Sequence, residues 1–180
     1  MTESRLVDQS VREFVGEVAS AETPVPAGGS VVALSGSCAA ALLALVCRVL
    51  QRHHVGGVID DHLLEAERLQ RDLLALVDED ADAYRAYLHA RREPMNIVRV
   101  ARTPLLIGQA CARVIALSDA LEQHDVRSMR GDVRAARHLA EAGVRTAIDL
   151  AEQNLDLLKD GESRRSVEFE ISNLRSLLAR

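Results

Sequence analysis

Four carboxylates crowd the run Asp78-Glu79-Asp80-Ala81-Asp82-Ala83-Tyr84, and they are not equivalent. Leu69, Leu73, Val77, Asp80, Tyr84 and Tyr87 recur at three- and four-residue steps, so a helical period puts Asp80 on an apolar stripe. Asp78, Glu79 and Asp82 fall elsewhere, toward solvent. A carboxylate on a buried face costs free energy unless it is hydrogen-bonded or paired. The same burial raises its pKa toward a range useful in general acid–base chemistry. Asp80 is therefore either an acid–base group or an aspartate that ties helices together through hydrogen bonds.

A second stretch offers backbone chemistry. Thr23-Pro24-Val25-Pro26-Ala27-Gly28-Gly29-Ser30 contains two prolines and two glycines, which argue against regular structure up to Gly29. Ser30 stands where an N-cap would stand, and Val31 opens a long helical pattern. No residue between Glu22 and Arg48 is charged. Unpaired backbone N–H groups leading into a helix suit an anionic group. A turn that merely starts a buried helix accounts for the spacing as well.

Helices have to place these residues. Ser4–Ser20 reads as an amphipathic helix with Val7, Val11, Phe14, Val15 and Val18 on one face. In Val31–Leu50, which runs on to about Arg52, Val31, Leu34, Cys38, Leu42, Leu45 and Val49 form a bulky stripe. Ala33, Ser37, Ala40 and Ala44 form a small one. A helix apolar on most sides is buried in a core or in a membrane. The uncharged part, Val31–Cys47, is borderline short for a span, has no positive flank and starts too deep for a signal peptide. No second candidate span is apparent, so it reads as a core helix.

The glycines of His53-His54-Val55-Gly56-Gly57 end that helix. Asp60 or Asp61 caps the next, which runs to about Ala90 and is stopped by Glu93-Pro94. His53, His54 and His62 near Asp60 and Asp61 read as exposed histidines at a helix junction, and no metal is expected. Asn96–Gln123 is helical with an interruption at Thr103-Pro104, where Thr103 caps a second segment. Gln123–Gly131 is irregular. Asp132 reads as the N-cap of a helix running to about Lys159, closed by Gly161, and Glu162–Arg180 is the last helix. Ala136, Ala140, Gly143, Ala147 and Ala151 make a small-residue stripe that Asn154 continues. With no strand-period segment, the expected fold is all-α: one domain over residues 1–180, an antiparallel helical bundle around a buried central helix.

A net charge of −5, with both signs interspersed, argues against nucleic acid or an anionic membrane as partner. Cys38, Cys47 and Cys111 are widely spaced in apolar patterns and read as buried, reduced thiols in a cytoplasmic protein. Two Phe, two Tyr and no Trp leave a core of Leu, Val and Ala, which suits closely packed helices.

Phe14-Val15-Gly16-Glu17-Val18-Ala19-Ser20 followed by the 23–30 loop and Val31-Val32-Ala33-Leu34-Ser35-Gly36 resembles the opening of the cyclodeaminase/cyclohydrolase family. The family loop reads Pro-Thr-Pro-Gly-Gly-Gly-Ser; Val25 and Ala27 replace its Thr and first Gly. The resemblance extends over nearly the whole chain and implies a dimeric all-α protein that binds a tetrahydrofolate derivative, needing no metal and no cofactor beyond that folate. Asp78–Tyr84 resembles the family's Asp-Glu-Asp-Ala-x-Ala-Phe, in which the aspartate matching Asp80 lines the folate site. Asp80 is then the catalytic residue, with Pro26, Ala27, Gly28, Gly29 and Ser30 as substrate-binding backbone. Asn154 matches a family asparagine and is either a hydrogen-bond bridge or a pterin contact. Asp132 matches the aspartate of a Ser-Asp pair whose serine is here Gly131; a simple N-cap explains it almost as well.

Two family features are missing. Leu150 stands where a second asparagine is often found, and His89, Arg91 and Arg92 stand where a lysine often follows the Asp-containing segment. Arginine holds carboxylates but does not shuttle protons near neutrality. The resemblance implies hydrolysis of 5,10-methenyltetrahydrofolate or deamination of formiminotetrahydrofolate. The alternative is a non-catalytic helical dimer that binds a folate-like ligand or serves as an accessory subunit.

Overall fold

A computed structural model describes residues 5–22, 24–52 and 57–179. His53, His54 and Thr23, singled out above, lie outside the described residues. Among the described residues six α-helices follow one another: α1 (Val11–Val18), α2 (Gly28–Gln51), α3 (Val58–His89), α4 (Pro94–Glu122), α5 (Arg130–Asn154) and α6 (Gly161–Leu178). No strand occurs among the described residues. Short connectors make neighbours antiparallel. Helix α2 packs mainly on α3 and α5, and α4 closes the bundle against α5 and α3. The all-α bundle expected from periodicity is present.

The central helix encloses its small-residue stripe together with Leu43, Val46 and Leu50, while the bulky stripe read from the spacing is only partly covered. Ala33, Gly36, Ser37, Ala40 and Ala44 are enclosed, whereas Val31, Leu34, Leu42 and Val49 are half-buried and Cys38 and Leu45 are exposed. Small side chains let helix backbones approach closely, so they belong where three helices meet. Cys111 of α4 shows how close. A Cβ added at Gly36 of α2 would lie 2.9 Å from its sulfur, and one added at Gly143 of α5 would lie 2.6 Å away. Burial pushes the Cys111 thiol up to about 12 and the Cys47 thiol up to about 11, so both stay protonated. The α5 stripe of Ala136, Ala140, Gly143, Ala147 and Ala151 is buried throughout, as its spacing predicts. Cys38, expected to be buried, faces outward.

Several boundaries differ for local reasons. The first helix starts only at Val11, because Ser10 and Glu13 form a reciprocal capping box. Its Val11, Val15 and Val18 are exposed and only Phe14 enters the core, so the expected valine face is not packed within this chain. Asp60 and Asp61 lie inside the first turn of α3, whose N-cap is Gly57 at φ +83°. Helix α4 begins at Pro94 and passes through Pro104 without a break. Thr103 does not cap a second segment; its hydroxyl donates to Arg99 O at 2.9 Å. Asp132 is in the first turn of α5, which stops at Asn154, and Gly161 opens α6 behind an Asp160 cap.

Helices α2 and α4 are both long and apolar enough to cross a membrane by length and composition, so α2 is not the single candidate expected from the sequence. Each has more than half of its most apolar stretch buried inside the bundle.

Candidate functional site

The N-terminus of α2 abuts the middle of α3, and Asp80 lies at that contact. The apolar stripe of α3 seats Leu69, Leu73 and Val77 in the core and carries Asp80 in register toward Gly29 and Ser30. Ser30 Oγ donates to Asp80 Oδ2 at 2.9 Å, and the Ser30 backbone amide lies on the same side of the carboxylate and helps to hold its charge. Ser30 is therefore not the N-cap of α2, which starts two residues earlier with Ala27 at its cap. A Cβ placed on Gly29 would lie 2.0 Å from Asp80 Oδ1. Neither Gly28 nor Gly29 has a positive φ, so Gly29 is required by close approach rather than by backbone conformation. At Gly28 an added Cβ would meet only the Leu150 methyls, at 4.0 Å.

Burial raises the Asp80 pKa above its ordinary value, more strongly than the Ser30 hydroxyl and amide lower it; the neighbouring Glu79 charge adds to the rise. No basic side chain pairs with Asp80 among the described residues. The other carboxylates of the run, expected toward solvent, all have partners, and only Asp82 is exposed. Asp78 accepts from the Leu6 amide at 2.7 Å and pairs with Arg5 at 3.0 Å. Glu79 takes a bidentate Arg99 guanidinium, both bonds 2.7 Å. Asp82 is exposed and holds Arg85.

Asp80 opens onto a cleft of about 360 Å³ walled by Pro24, Val25, Ala27, Gly28 and Gly29 from the loop and α2. Tyr84, Val100, Pro104, Leu150, Gln153 and Asn154 form the rest of its wall. Ser30 touches it through Asp80, and Pro26 is buried behind it. A larger groove of about 510 Å³ lies between α3 and α4, but its Glu79 and Arg113 are already ion-paired with Arg99 and Glu65. Of these two, only the smaller cleft contains a half-buried acid with no basic partner among the described residues.

Asn154 closes the cleft from the end of α5, its Nδ2 donating to Val100 O at 3.1 Å, so it is at least the bridge weighed from the sequence. Asp132 is not brought to the cleft. It begins the helix that Asn154 ends, which at 1.5 Å per residue puts them about 33 Å apart. There it sits favourably at the positive end of the helix dipole. Tyr84, Val100, Pro104 and Gln153 were not anticipated as cleft residues. Tyr84 was legible, one turn beyond Asp80 on the same stripe; Val100 and Pro104 reach the cleft only because α4 continues through the proline. In place of the absent lysine, Arg91 stacks its guanidinium 6.0 Å from the Tyr87 ring, and Tyr87 lies 6.2 Å from Tyr84.

Relatives give this arrangement a context. The chain is 27% identical to a methenyltetrahydrofolate cyclohydrolase of Methylorubrum extorquens, over 96% of this chain and 90% of that protein. It is also 27% identical to the rat formimidoyltransferase-cyclodeaminase, of which it spans 35%. The fold superimposes on a formiminotetrahydrofolate cyclodeaminase of Thermotoga maritima with a TM-score of 0.86 at 19% identity, covering 95% of this chain and 90% of that one. Residues 10–173 match the model of the formiminotransferase-cyclodeaminase family, and the chain belongs to that family.

Proposed function

We propose that this chain acts on the one-carbon bridge of a reduced folate, hydrolysing 5,10-methenyltetrahydrofolate to 10-formyltetrahydrofolate. The observation that carries the reading is Asp80, a half-buried carboxylate without a cation, held at the floor of an open cleft by Ser30. The substrate brings the positive charge that this site lacks. Its amidinium carbon is the electrophile, and its proximity favours the ionised form of Asp80. Asp80 accepts a proton as water attacks that carbon. The bond to N5 then breaks and N5 receives the proton from Asp80; the second water proton is released to solvent. Loop backbone at Ala27, Gly28 and Gly29 lines the ligand, while the Ser30 hydroxyl is used by Asp80. No cofactor beyond the folate enters the scheme.

Deamination of formiminotetrahydrofolate is the second reading, supported by the raised Asp80 pKa. There N10 attacks the formimino carbon and its proton passes to the formimino nitrogen; protonated Asp80 gives that nitrogen a second proton, and the C–N bond breaks to release ammonia and leave the methenyl cation. A non-catalytic folate-binding helical dimer is the third, favoured by Leu150 in the cleft wall and by the missing lysine.

The proposal includes a homodimer, acting in the cytoplasm and without nucleic-acid or membrane partners. The outward stripe of α2 repeats at three- and four-residue steps like a coiled-coil seam and is free of charge up to Arg48, which supports pairing with the same stripe of a second copy. Loss of the methenyltetrahydrofolate absorbance on adding pure protein, above the uncatalysed rate, tests the activity. Binding without turnover of either folate would shift the assignment to the binding protein.

A further inference from the structure

Pro104 sits inside α4, where its ring nitrogen has no hydrogen to give the carbonyl four residues back, that of Val100. The helix nevertheless runs unbroken from Pro94 to Glu122. Asn154, at the end of α5, reaches across and donates from Nδ2 to that carbonyl at 3.1 Å. Val100, Pro104 and Asn154 all line the cleft that contains Asp80. A carbonyl can receive only the NH2 end of a carboxamide, so this bond decides which way the amide is turned. The other end, Oδ1, has no hydrogen-bond partner among the described residues and is not fully buried.

We infer that Asn154 supplies the hydrogen bond Pro104 cannot make, and that this lock holds its Oδ1 as an acceptor toward the cleft, reading an N–H or amino group of the ligand. The inference rests on the folate reading for its ligand, since a reduced pterin presents several such donors. A freely turning amide would take donors and acceptors alike; a locked one discriminates between them. Discrimination of this kind is strong, because a ligand group facing the wrong end of a fixed amide is left desolvated and unpaired.

A thermodynamic cycle with Asn154→Ala and Pro104→Ala tests the lock without any ligand. Asn154→Ala should lower the melting temperature by roughly 2–4 °C, the scale of one lost hydrogen bond in a chain of this size. In the Pro104→Ala background, where residue 104 again has an N–H for Val100, most of that loss should vanish. Additive losses would overturn the lock, as would an Asn154→Ala chain that fails to fold and is not rescued by Pro104→Ala. Calorimetric titration with folinic acid, a stable reduced folate, reads the acceptor. Asn154→Ala should weaken binding about tenfold in both backgrounds, the scale of one buried hydrogen bond. Coupled stabilities with unchanged folinic acid affinity would overturn the acceptor role. A wild type that binds no reduced folate would instead overturn the folate reading, and the stability cycle would still decide the lock.

Discussion

Replacing Asp80 by asparagine changes charge and basicity while nearly preserving shape, and the structure sets what should follow. In the wild type the carboxylate receives the Ser30 hydroxyl at 2.9 Å. An asparagine keeps this contact either way round, its oxygen accepting from the hydroxyl or its NH2 donating to it, and loses only the extra strength of a bond to a charged acceptor, about 1 kcal/mol. Against this, the variant no longer buries an ionised group, and burial is the largest influence on the Asp80 pKa. The two effects oppose each other, so the melting temperature at neutral pH should move by no more than about 2–4 °C. The sign with pH is defined as well. Because the folded pKa is raised, the proton on Asp80 stabilises the folded protein below the ordinary carboxylate value, and that stabilisation is lost as pH rises through the raised value. Wild type should therefore gain stability over Asp80→Asn on acidification through this window. Turnover should fall by about two to four orders of magnitude, the usual scale for losing a general acid–base group. Single-turnover absorbance decay of methenyltetrahydrofolate and thermal unfolding, measured on both proteins, read these outcomes. A stable Asp80→Asn protein with wild-type turnover would refute the catalytic assignment. A large loss of stability with full activity per folded molecule would make Asp80 a structural tie.

Two further predictions address the cleft wall and the exposed stripe. Gly29→Ala puts a methyl onto the Asp80 carboxylate and should abolish folate binding or displace α2, whereas Gly28→Ala, with only Leu150 nearby at 4.0 Å, should bind folinic acid within about threefold of wild type; equal affinities for the two variants would refute the close-approach argument. Leu45→Glu, at a position 44% exposed on the α2 stripe, should convert a dimer to monomer in light scattering while leaving helical content unchanged. A monomeric wild type would remove the dimer from the proposal.

Helical class, the small-residue stripe of α5, the entry loop into α2 and the register of Asp80 on the apolar face of α3 were all legible in the amino-acid order. Each depends on local periodicity or on the stereochemistry of Gly and Pro, which the chain carries wherever it is placed. Tertiary structure alone decided which stripe of α2 is enclosed. Both stripes are apolar, and the choice between them depends on how closely α3 and α5 approach, a property of three helices together. It also decided that Ser30 serves Asp80 rather than its own helix, that Asp78 and Glu79 are tied to Arg5 and Arg99, and that Asp132 lies far from Asn154. Pro104 shows the limit most clearly. A proline marks a helix break when only its own strand of sequence is considered, because the missing N–H and the orphaned carbonyl are local facts. The donor that takes the orphaned carbonyl, Asn154, comes from a different helix fifty-four residues beyond Val100, and no local pattern records it.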